Sequence, residues 1–207
     1  MGKAALLVVL CLFSCAYQRD AGDRVAAPPE GIVPPPAPLT PGEQEAAASV
    51  ALNDIVERRI RGEGPIYFVH AEPYREKTDT SGQRRLALVT HYRYQGDTAI
   101  TSIVDISASR VLDVSETANI PVPLARAEFE QARDLALADP AVQAALGANR
   151  GNVVVEPLLL HTTSREDPMF GHRVVRLLFR VGRDYLESPI VHVDLTTRRV
   201  VVEPPRS

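Results

Sequence analysis

Cysteine is nearly absent from this chain: two of 207 residues, at positions 11 and 15. Residues 16–207 can therefore form no disulfide framework and offer no thiolate for catalysis or metal binding. Lysine is almost as scarce, since Lys3 and Lys77 are the only two among 23 basic residues. The arginines lie scattered, as in the doublets Arg58-Arg59, Arg84-Arg85 and Arg198-Arg199, on a chain of formal charge −3. That pattern lacks the basic stripe a nucleic-acid binder needs. The five histidines, His70, His91, His161, His172 and His192, never fall within ten residues of one another, so none has the i, i+2 or i, i+4 spacing that puts two metal ligands on one face. No glycine-rich phosphate loop follows a strand-like segment, and Ser164, with His161 or His172, lacks a nucleophile elbow.

Long hydrophobic runs are missing too. The longest useful one, residues 4–13, follows the basic start at Lys3 and is half of the roughly 20 residues that a membrane-spanning helix needs. It reads as a secretory signal, residues 1–14. Cys15 follows Leu12-Phe13-Ser14 in the manner of a bacterial lipobox, which makes Cys15 the candidate lipidation site; ordinary cleavage nearby and an uncleaved anchor are the alternatives. Ala16 after that cysteine fits sorting to an outer membrane. Residues 15–37 read as a Pro- and Ala-rich linker, with seven of the 17 prolines between Pro28 and Pro41, a composition that favours extended spacers. Loss of residues 1–14 removes only Lys3 and takes the formal charge from −3 to −4.

What is present in the remainder is a repetition. Residues 38–54, PLTPGEQEAAASVALND, align at an offset of eighty-five with residues 123–139, PLARAEFEQARDLALAD. Pro38/Pro123, Leu39/Leu124, Glu43/Glu128, Glu45/Glu130, Ala47/Ala132, Ala51/Ala136, Leu52/Leu137 and Asp54/Asp139 are identical. Thr40-Pro41-Gly42-Glu43 has a capping threonine, a proline at the first helical position and a glutamate three residues after the cap. This predicts an amphipathic helix over 41–61, with Val50 and Ile55 in its core. The second copy predicts a helix over 125–138, with Leu135 and Leu137 buried, and a short helix from Asp139-Pro140 that Gly147 ends.

Strand-like segments follow each helix: 66–72, 85–94, 98–106 and 110–114, then 153–162, 173–181, 188–195 and 200–203. VDISASRV (104–111) and VDLTTRRV (193–200) match as strand–turn–strand units, in which Asp105 and Asp194 read as turn residues that accept backbone hydrogen bonds. The fold class expected is α+β, two tandem units that each pack a helix on an antiparallel meander, over 38–116 and 122–204. The Pro-containing segment 115–123 is expected to separate them.

The order PLT-x-x-E, amphipathic helix, HAEPYREK, RxxLVxxYxYxxD and a VDI/VDL hairpin resembles the N-terminal cystatin-like domains, N2 and N3, of copper amine oxidases. The resemblance implies a cystatin-like scaffold over almost all of residues 38–204. It carries over none of that family's chemistry. The enzymes convert a tyrosine in an Asn-Tyr-Asp/Glu setting into a quinone and hold copper with three histidines, two as His-x-His. Tyr17, Tyr67, Tyr74, Tyr92, Tyr94 and Tyr185 all lack a preceding Asn, and no His-x-His occurs.

The expectation is thus an exported, lipid-anchored and non-catalytic interaction or accessory module, with no cofactor, no metal, no nucleic acid and a protein partner in the cell envelope. The competing expectations are a diverged hydrolase using His161, Glu166 and Asp167, a subunit of an amine oxidase assembly, and a cystatin-like inhibitor or chaperone module. A convergent pocket of ionisable groups would favour an enzyme, and an exposed apolar groove or edge a binder.

Overall fold

A computed structural model describes residues 35–58, 60, 64–77 and 83–203. The signal segment, Cys15 and residues 15–34 of the linker lie outside the described residues. Pro35–Ser207 clusters as one compact unit of the α+β class. Helix α1 (Pro41–Glu57) precedes β1 (Ile66–Tyr74), β2 (Leu86–Arg93), β3 (Thr98–Asp105) and β4 (Arg110–Ala118). Then come α2 (Arg126–Ala138), α3 (Pro140–Leu146), a 3₁₀ turn (Gly147–Gly151), β5 (Val154–Leu160), β6 (Val174–Val181), β7 (Asp184–Tyr185), β8 (Ile190–Asp194) and β9 (Arg199–Glu203). Two separate antiparallel sheets result, ordered β1-β2-β3-β4 and β5-β6-β8-β9, with the short β7 paired to β6. β7 has no counterpart among the expected strands.

The helix starts form as the caps dictate. Thr40 Oγ1 accepts from Glu43 N, and Glu43 Oε2 accepts from Thr40 N at 2.8 Å, a complete capping box. Ala125 has no side-chain oxygen, so α2 keeps only the return half, Ala125 N to Glu128 Oε2 at 2.8 Å. Helix α1 stops at Glu57 rather than 61: Ile60 N reaches back to Ile55 O, and Arg93 of β2 donates to Ile60 O at 2.8 Å, which draws the chain off the helix axis. Asp139 caps α3, accepting from Ala141 N and Val142 N, and Gly147 ends it with φ 52°.

The repeated alanines mark where each helix meets its sheet. Ala47, Ala51 and Ile55 are buried on α1, and Ala132 and Ala136 on α2. Small side chains let the helix lie close to Ala87, Val89 and Val104 in the first sheet, and to Val175, Leu177, Val191 and Val193 in the second. Val50, Leu135 and Leu137, expected in the cores, are half-buried and flank these seams. A second correction concerns residues 115–123. They begin as strand, because Ser115, Glu116, Thr117 and Ala118 pair with Thr101, Ile100, Ala99 and Thr98 on the polar edge of the sheet. Asn119, at φ 56°, ends the strand and donates to Asp97 O.

The two copies share one further device that the repeat alone did not reveal. Arg85 clamps Glu43 through Nε–Oε1 (2.7 Å) and Nη2–Oε2 (2.9 Å), and also donates to the carbonyls of Ala37 and Pro38. Arg173 clamps Glu128 through Nε–Oε1 and Nη2–Oε2, both 3.0 Å, and donates to the carbonyls of Val122 and Pro123. Each arginine leads into a central strand and ties it to the helix start and to the chain entering that helix. The first clamp is partly exposed. The second is buried, with Tyr92 of the first sheet stacked 4.1 Å over the Arg173 guanidinium.

Loss of one partner of a buried ion pair strands the other charge. Glu128→Ala is therefore expected to lower the unfolding free energy in urea by about 3–5 kcal/mol, and Glu43→Ala by clearly less because water can solvate Arg85. Similar losses for the two would contradict this. Acid acts through Glu43 and His91. Arg85 holds the Glu43 carboxyl at about 2 instead of 4.5, so its contribution is present above pH 4.5 and is lost as pH falls toward 2. Burial pushes His91 down to about 4 from 6.5, so its contribution is present above pH 6.5 and fades toward pH 4. A urea-midpoint series against pH should flatten between 6.5 and 4 in His91→Leu, and between 4.5 and 2 in Glu43→Gln.

Candidate functional site

The five histidines part company in the fold. His70 sits on β1, paired with Thr90. His91 is buried in β2, its ring set edge-on to Phe68 at 5.8 Å, and neither ring nitrogen has a protein partner. Burial keeps it neutral near pH 7. His172 Nδ1 lies 2.7 Å from Asp194 Oδ2. Asp194 also accepts from Thr196 N, Thr197 N and Thr197 Oγ1. Burial alone raises the Asp194 carboxyl, but the bonds from Thr197 and His172 outweigh it and hold the group below its ordinary value. Asp194 thus serves its turn, as Asp105 does by accepting from Ala108 N at 3.0 Å.

His161 and His192 share a cleft. They line a cleft of about 330 Å³ together with Leu160, Thr162, Asp167, Met169 and Val174. The cleft sits where the 161–173 connection leaves β5 and folds over the start of β6. That connection is held by local bonds, among them Met169 N to Asp167 Oδ1 (2.8 Å), Phe170 N to Asp167 O (2.9 Å) and His172 N to Met169 O (3.0 Å). His161 Nε2 is buried with no protein partner. His192 Nδ1 lies 3.3 Å from Glu203. Glu166 does not line the cleft, so the trio His161, Glu166 and Asp167 is not assembled. Among the described residues no three His, Cys, Asp or Glu side chains converge as a metal site would require. The histidine that sequence spacing missed is His192, which strand pairing brings in from 31 residues beyond His161.

The cleft opens onto the second sheet's outer face. Alternation decides which residues stand there. Val175, Leu177, Phe179, Val191 and Val193 face α2 and α3. The other parity, Leu158 and Leu160 on β5, Val174, Arg176 and Leu178 on β6, His192 on β8 and Val201 on β9, faces away. No described helix covers it. Val154, Leu158, Leu160 and Val201 are 37% to 46% exposed, large apolar side chains on a surface that water ordinarily leaves polar.

Charge on that face is nearly all paired. Arg180 Nε bonds Glu156 Oε1 at 2.9 Å, and Tyr185 donates to the same carboxylate; those two hydrogen bonds, Tyr185's the stronger, hold Glu156 below its ordinary value. Two arginines are exceptions, the exposed Arg199 at the start of β9 and Arg176 in the middle of the face. Arg176 stands across from Leu158 and His192, forms no ion pair among the described residues, and its Nε is buried without a protein acceptor. A buried donor left in that state costs about 1–3 kcal/mol. The face is thus apolar, open, and supplied at its middle with a guanidinium, that of Arg176, without an acidic partner among the described residues.

No protein-family model matches the chain, and no curated protein is similar to it in sequence. Among solved structures the chain is similar to a copper-containing benzylamine oxidase from Hansenula polymorpha, with a TM-score of 0.51 and 16% identity over 82% of this chain. The chain spans 30% of that enzyme's length. At this identity the likeness is one of fold, and it agrees with the resemblance to the amine oxidase N-terminal domains read from the sequence.

Proposed function

We propose that this protein is a non-catalytic interaction module, exported and anchored by lipid at Cys15, that holds a protein partner on the outer face of its second sheet. The observation that carries the reading is the exposed apolar row Leu158, Leu160 and Val201 on an otherwise ordered sheet. The two helix-and-meander units, with their matching clamps, are read as tandem cystatin-like domains of the amine oxidase N2/N3 kind, and the fold likeness supports that reading. The same likeness favours, as a second reading, a place beside a separate amine oxidase chain. A copper amine oxidase in its own right would need a tyrosine in a quinone-forming setting and a set of copper ligands, and in this sequence no tyrosine follows an asparagine and no His-x-His occurs.

A photo-reactive amino acid placed at Leu158 or Val201 in cells should give one discrete cross-linked species, and none when placed at Glu45 on α1. Equal cross-linking from all three sites, or none from the sheet, would overturn the docking face. Cys15→Ser should move the protein from the membrane to the soluble exported fraction; unchanged membrane retention would contradict the anchor. The purified chain should bind no stoichiometric copper and produce no amine-dependent peroxide. One copper per chain, or peroxide released on amine addition, would replace the module with an enzyme.

A further inference from the structure

We propose that the occupant of this face is an extended polypeptide segment that brings a carboxylate side chain to Arg176 and, two residues along, a bulky apolar side chain to the adjoining cleft. The proposal rests on the docking reading above and names the partner's chemistry. Charge complementarity selects the carboxylate. Glu156 is committed to Arg180 and Tyr185, and Glu203 lies against His192, whereas Arg176 has no acidic partner among the described residues. Its Nε lacks an acceptor. A guanidinium presents a planar fork that a carboxylate fills with two bonds. With Leu158 directly across the strand and Leu160 and Val174 one pair further on, that bond would form in an apolar surround, where it is stronger than in water.

The cleft sets the second requirement. At about 330 Å³, lined by Leu160, Met169 and Val174, it lies at the small end of ligand cavities, which suits one side chain. Val174 and Arg176 are two residues apart on β6 and face the same way, about 7 Å from each other. A segment lying extended along β6 repeats its own side chains at that interval. The expected signature is therefore Asp or Glu at one position and Leu, Ile, Met or Phe two positions away.

Selection of random dodecapeptides on phage against the immobilised full-length protein tests this without knowledge of the native partner. Enriched peptides should share the acidic–x–apolar pattern. Arg176→Met, which keeps the apolar stem, should weaken a synthetic consensus peptide about tenfold or more. Arg176→Lys should retain part of the affinity and thereby report that the sheet is intact. Reselection on Arg176→Glu should return Lys or Arg at the acidic position. Enriched peptides without an acid, equal affinity for the Met variant, or no enrichment at all would overturn the proposal. If cross-linking from Leu158 persists in that case, the docking face stands and only the stated partner chemistry fails.

Discussion

Everything in the second half of this protein hangs on a charge held out of water. Arg173 is buried, and its guanidinium meets Glu128, two backbone carbonyls and the ring of Tyr92. The carboxylate also takes the Ala125 N–H that opens α2. A desolvated cation–π contact contributes about 2 kcal/mol, and the ion pair persists because each of its atoms is satisfied. One side chain thus joins the start of β6, the start of α2, the entering chain and the back of the first sheet. Tyr92 is itself fixed by a bond from its hydroxyl to Asp97 Oδ1 at 2.8 Å; burial first, and that bond after it, raise the pKa of the hydroxyl. Tyr67 donates to Gln131 of α2 at 3.2 Å, and Tyr94 packs against the second core. Helix α2 therefore touches both sheets, while α1 packs on β1 to β4.

The same clamp in the first unit, Glu43–Arg85, has no ring above it among the described residues and is partly exposed. Identical chemistry in two settings explains the repeat. Pro38 and Pro123 supply the carbonyl, Glu43 and Glu128 the carboxylate, and the alanine pairs the close seam. What differs is the neighbour. Tyr92 of the first sheet packs on the second unit's clamp, whereas the outer face of the second sheet has no described helix over it.

Much of the fold was legible in the sequence because its signals are local. The capping box at Thr40, the Asp139-Pro140 restart and the two VD turns depend on neighbours in the chain, and each stands where its residues place it. The arginine partners of Glu43 and Glu128 were not legible, since Arg85 and Arg173 lie more than forty residues away and the offset between them differs from that of the helices. The end of β4 was missed for a related reason: Ser115, Glu116 and Thr117 carry no strand pattern and pair only because β3 offers an edge. At the candidate site, the 161–172 segment was identified as a connection, but His192 joined it through strand pairing. The exposed row on β5 looked like any buried strand, because hydrophobicity alone does not say which face finds a cover.

The central claim is that Tyr92 on Arg173–Glu128 welds two helix-and-sheet units into one cooperative body. Differential scanning calorimetry of the purified protein and of Tyr92→Leu tests it most directly. The account predicts one transition for the natural chain, with calorimetric and van't Hoff enthalpies equal, and two separated transitions for the variant. Two transitions in the natural chain, or a single unchanged one in Tyr92→Leu, would contradict it.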